Sequence, residues 1–210
     1  MTRPRRTQAQ RSSATRTALL DATLACLEEH GYAGTTTTEI AHRAGVSRGA
    51  QLHHFPTRTE LVIEAMRHLF ARRHAEFLDA FSRLPPEAVR VEAAIDLLWR
   101  MIGGPTFVVW LELAVAGRTD HELAEPVRRM TGEFLELVER TFHQLFEAPA
   151  TPNPYFAIAP RFAFALLEGL ALSRLHGADE TRTEAVVEAV KSIARLVMPS
   201  QPAPGRGGTS

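Results

Sequence analysis

The chain has 210 residues, 24 Lys+Arg against 24 Asp+Glu, 45% hydrophobic residues and a single cysteine, Cys26. That length and apolar fraction suit one large globular core or two small ones, and exclude a disordered, collagen-like or disulfide-stapled chain. No stretch of 18 consecutive uncharged apolar residues suggests a membrane span, and no apolar core or cleavage site of a secretory signal follows the early arginines, so a cytoplasmic protein with no membrane contact is expected.

Nearly every periodic stretch repeats at about 3.6 residues, which predicts an all-α fold of about nine helices. The first is expected from about Ala14 to His30, with Leu20, Leu24 and Leu27 on its core face. Gly31 ends it, and Cys26 falls on or beside the packed side as an inert residue. Thr36-Thr37-Thr38-Glu39 fits a capping box that opens a two-turn helix to Ala44. Gly45 permits a sharp turn, Val46 anchors it, and Ser47 caps a second short helix that Phe55-Pro56 stops. A long amphipathic helix is expected over 58–84, then helices near 87–102, 105–117, 121–147, 155–177 and 181–198. Four segments follow: a flexible Arg-rich arm over 1–13, a first helical segment over 14–57, a second over 58–198, and a disordered Pro/Gly/Ser tail over 199–210.

Zero net charge argues against nucleic acid until it is divided along the chain. Residues 1–58 carry eight arginines against four acidic residues, a net +4 that leaves −4 for the remainder. Two short helices joined by a glycine turn after a longer helix make a helix-turn-helix, whose second helix can enter the major groove. Ile40, Ala41, Ala44 and Val46 suit its inner face; Arg48, Gln51, His53 and His54 suit the outer one.

Leu19-Leu20-Asp21-Ala22, Gly31-Tyr32, Thr36 through Ala41, Ala44 through Gly49 and His54 through Leu61 together resemble the DNA-binding domain of TetR-type transcriptional regulators. The resemblance makes 14–57 the DNA-binding domain and 58–198 the effector-binding and dimerisation domain, and implies a homodimer on a partly palindromic double-stranded operator, most simply a repressor released by a small-molecule effector. It implies that Thr37 and Thr38 contact phosphate and sometimes a base. Arg48, Gly49 and Ala50 match the base-reading start, where Arg48 can grip guanine with two hydrogen bonds. His53, His54 and Arg58 match phosphate-facing positions. Gln51 and Leu52 depart from the family's leucine and tyrosine, and Gln51 is expected to read adenine instead. Competing readings stand beside these: Arg48 as a solvated surface residue, the early arginines as a solubilising tail or a DNA-contacting arm, and a metal site at His42, His53 and His54, which lacks a complete ligand set.

Between residues 95 and 146 aromatic and methionine residues are dense. Trp99, Phe107, Trp110, Glu112, Met130 and Phe134 are candidate effector contacts, with ordinary core as the alternative. Glu112 interrupts an apolar run and needs a partner: Arg100, Arg128, His143 or a ligand. Phe162, Leu166, Leu170, Val186, Val190, Ile193 and Val197 line the last two helices as a dimer face, or equally an intrachain hairpin. No Gly-rich phosphate loop, catalytic triad, paired carboxylates or metal-ligand spacing is present, so neither enzyme activity nor a cofactor is expected. A helical carrier or enzyme with an incidental hairpin is the alternative class.

Overall fold

The computed structural model describes residues 7–149 and 151–198. Among these are nine helices and no strand: α1 Gln8–Gly34, α2 Thr37–Arg43, α3 Arg48–His54, α4 Arg58–Ser82, α5 Arg90–Ile102, α6 Pro105–Ala116, α7 His121–Leu145, α8 Pro154–Leu175 and α9 Glu180–Val197. Their starts follow local rules. Thr36, Ser47, Asn153 and Asp179 cap α2, α3, α8 and α9 with side-chain oxygens. Prolines, lacking the N–H that a first turn leaves unused, open α6 and α8.

One correction concerns the first helix. It begins six residues before the expected Ala14, because Thr7 and Gln10 form a reciprocal capping box. Residues 8–13 are exposed and almost devoid of apolar side chains, so periodicity gave no sign of the extra turns. The arm expected over 1–13 is therefore helical from Gln8; its residues 1–6, and the tail expected over 199–210, lie outside the described residues.

The chain packs as two compact units. The first contains residues up to Arg72 together with Pro105–Glu133; the second contains Arg73–Gly104 and residues from Phe134 onward. The packing thus divides within α4 and α7 rather than at the 57/58 boundary read from sequence.

In the first unit, Leu19, Leu20, Leu24 and Leu27 of α1 meet Ile40, Leu61, Met66, Val109, Leu113 and Met130 in one buried cluster. Each such side chain contributes roughly 1.5–3 kcal/mol on burial. Cys26 is fully buried among them, and burial pushes its thiol above its ordinary pKa, which leaves it inert. In the second unit, Phe81, Phe146, Phe156 and Met198 form the cluster, edged by Phe77 and Phe142. The ring centroids of Phe142 lie 5.2 Å from Phe146 and 5.1 Å from Phe156, ordinary spacings for packed aromatics.

Helix α8 is long and apolar enough to cross a bilayer by length and composition, although only 28% of its apolar window is buried. Arg161, Glu168 and Arg174 interrupt its apolar run, so it holds no 18 consecutive uncharged residues.

Candidate nucleic-acid interface

Helices α2 and α3 are held by short-range bonds. Thr36 Oγ1 accepts the Glu39 N–H at 3.2 Å, and Ser47 Oγ accepts that of Ala50 at 3.2 Å. Between them Gly45 takes φ +67°, and the Val46 N–H reaches back to the Ala41 carbonyl at 3.0 Å. Val46 then packs against the first unit's core, which fixes the angle between the two helices. Arg48, Gly49, Leu52 and His53 are exposed along α3, while Ala50 and His54 are half-buried. Thr38 is exposed and Thr37 half-buried at the start of α2.

Gln51 is the exception. It is fully buried, its Nε2 donates to the Phe55 carbonyl at 2.8 Å, and its Oε1 has no hydrogen-bond partner. A side chain turned into the core cannot reach a base edge, so the expectation that Gln51 reads adenine is withdrawn. An orphaned buried acceptor costs about 1–3 kcal/mol. Gln51→Leu, of similar volume and apolar, is accordingly expected to raise the urea midpoint by an amount worth about 1 kcal/mol. A lower midpoint would show that the amide contributes more than it costs.

The positive charge of the N-terminal stretch is unevenly available. Arg16 pairs with Glu64 at 2.6 Å and Arg43 with Glu29. Arg48 makes no hydrogen bond or ion pair among the described residues, and its exposed guanidinium stands at the first position of the recognition helix.

Arg58 was expected at the phosphate-facing end and is instead engaged inside the fold. Its Nε donates to the Thr35 carbonyl at 2.9 Å, its Nη2 donates to the Tyr32 carbonyl, and its guanidinium lies 4.0 Å from the centre of the Tyr32 ring. The Tyr32 N–H donates to Glu112 Oε2 at 2.7 Å, and the Tyr32 hydroxyl reaches Asp120 at 3.4 Å. Burial holds that phenol above its usual pKa. Tyr32 thus ties the end of α1 to α4, to α6 and to the α6–α7 turn. Among the described residues Glu112 finds its partner in a backbone amide rather than in Arg100, Arg128 or His143.

The expected effector contacts divide between the two units. Phe107, Trp110, Glu112 and Met130 belong to the first, where Phe107 stacks on Trp110 at 5.7 Å and Trp110 Nε1 donates to Thr131 at 3.2 Å. Trp99 belongs to the second, under the Arg174 guanidinium at 5.5 Å. Wholly inside the second unit lies a cavity of about 490 Å³, and of the six candidates only Phe134 is on its wall. His74 and Thr141 are on that wall too, and neither residue type nor spacing marks them in the sequence. Of the expected dimer residues, Phe162, Val186 and Ile193 are exposed, Leu166, Leu170 and Val197 half-buried, and Val190 buried at 5%. Ile158, Leu172 and Leu196 join the exposed set. Among the described residues no three His, Cys, Asp or Glu side chains are grouped to hold a metal ion.

A helix-turn-helix that presents an unpaired arginine on a seven-residue recognition helix, with a separate cavity-bearing helical unit, defines a DNA-binding regulator. The family described as bacterial regulatory proteins, tetR family, matches residues 19–65. The HTH-type transcriptional regulator CymR of Pseudomonas putida is 31% identical over 195 residues, covering 93% of this chain and 96% of that protein. A TetR-family regulator from Cytophaga hutchinsonii has a TM-score of 0.70 at 15% identity, over 94% of this chain and 100% of that one. The multidrug binding protein EbrR, solved with imidazole, has a TM-score of 0.60 at 21% identity, over 89% and 96%. These two likenesses concern the fold. The chain belongs to the TetR family and is a helix-turn-helix transcriptional regulator.

Proposed function

We propose that the protein acts in the cytoplasm as a homodimeric repressor of a partly palindromic operator and leaves it when a small molecule occupies the cavity of the second unit. The observation that carries the DNA-reading half is Arg48: exposed, unpaired and placed where a guanidinium can grip guanine O6 and N7. Gly49 and Ala50 beside it permit close approach, and exposed Leu52 suits a thymine methyl. Thr37, Thr38, His53 and His54 are assigned to the phosphates. The cavity supports the effector half, and EbrR, a multidrug binder of the same fold, is in keeping with it.

A mobility shift with promoter fragments tests the reading; no sequence-selective binding by the pure protein at moderate salt would overturn it. Arg48→Ala is expected to cost about 1–3 kcal/mol on the best operator and much less on random DNA. Equal losses on both would make Arg48 a phosphate contact only. Arg58→Ala is expected to leave the salt dependence of binding unchanged, because its guanidinium is engaged with the Tyr32 and Thr35 carbonyls. A slope flattened by about 0.9 per subunit would return Arg58 to the phosphates.

A further inference from the structure

The wall of the second unit's cavity holds no Asp, Glu, Lys or Arg; among its lining residues only His74, Thr141 and Tyr155 carry polar side-chain atoms. His74 and Thr141 fix each other's hydrogen-bonding roles. Thr141 has one hydroxyl hydrogen, and the Leu137 carbonyl receives it at 2.8 Å. His74 Nε2 lies 2.8 Å from the same oxygen and must therefore be the donor. Burial, and after it the charge of Arg140, holds the ring's pKa below its ordinary value and so favours the neutral form. A neutral imidazole that carries its proton on Nε2 leaves Nδ1 a bare acceptor. The His74–Thr141 pair has acceptor capacity left and no hydrogen to give.

We infer that this cavity takes an uncharged, largely apolar ligand with one hydrogen-bond donor, a phenol or an alcohol, whose hydroxyl is received at the His74–Thr141 pair. The inference rests on the effector-responsive reading above and adds the ligand's chemical class. A carboxylate would lose its hydration on an apolar wall where this pair offers it no donor and only the hydroxyl of Tyr155, a residue 62% exposed, could donate to it. An ammonium would meet no carboxylate. A volume of about 490 Å³ is within the usual range for small-molecule sites and has room for a bicyclic ring system.

Three probes of one shape test this on the full chain by calorimetry: 2-naphthol, naphthalene and 2-naphthoate. One net hydrogen bond makes 2-naphthol about fivefold tighter than naphthalene. The unpaired charge makes 2-naphthoate at least about a hundredfold weaker than 2-naphthol. Thr141→Val, close in shape, and His74→Phe are each expected to bring 2-naphthol down towards naphthalene while leaving naphthalene binding intact; if one unfolds, the other gives the result. Ala163→Phe, on the wall, is expected to weaken all binding. No saturable binding of 2-naphthol, equal or tighter binding of 2-naphthoate, or full binding by folded Ala163→Phe would overturn the inference. Operator release is measured separately: 2-naphthol that binds as expected without releasing DNA leaves the ligand class standing and counts against the effector-responsive reading.

Discussion

Gly31→Ala is expected to destabilise the first unit by about 3 kcal/mol or more. Gly31 sits at φ +66° and ψ 178°, a region that side chains other than glycine's essentially do not occupy, at a cost of roughly 1–3 kcal/mol. A methyl group there would also lie 2.8 Å from Glu112 Oε2. The carboxylate would have to withdraw and give up the Tyr32 N–H, and a hydrogen bond to a charged group contributes about 1.5–3 kcal/mol. Urea unfolding read on the variant measures the sum. Glu112→Ala removes only the second part and is expected to cost less than Gly31→Ala. A loss below about 1 kcal/mol for Gly31→Ala would mean that the turn relaxes without strain.

Leu172→Glu and Val186→Glu are each expected to convert a dimer to monomers and to weaken operator binding at least about a hundredfold. Both residues are exposed on the α8–α9 face, and neither lines the cavity, so ligand binding is not disturbed directly. A glutamate there would carry an unpaired charge into a closed apolar interface. The large operator effect comes from geometry: joining two recognition helices turns the second binding event into an intramolecular one, a gain of about 10²–10⁴. Analytical ultracentrifugation and a mobility shift read the two effects. Variants that remain dimeric and keep their affinity would place the two-fold axis elsewhere.

The helix-turn-helix was legible because its determinants are local. The caps at Thr36 and Ser47 and the glycine at 45 each act within four residues, so spacing alone placed both short helices. Gln51 reads as outward by its polarity but inward by its register: it lies four residues before buried Phe55, on the same inward stripe. Glu112 was correctly marked as needing a partner. That partner is a backbone amide 80 residues away, left free by the turn at Gly31, and no pattern of side chains announces it. The residues of the second unit's cavity were the least legible. Met130 and Phe134 are one helical turn apart on α7, yet the first belongs to one packing unit and the second to the other. The aromatic density read as one box serves two cores.

The same division gives the protein a built-in pair of optical labels. Its two tryptophans fall one to each unit, Trp99 on α5 and Trp110 on α6, on either side of Gly103-Gly104-Pro105. Trp99→Phe and Trp110→Phe would each leave a single emitter. Their denaturation curves would then show directly whether the first and second units melt as one cooperative block or come apart in sequence.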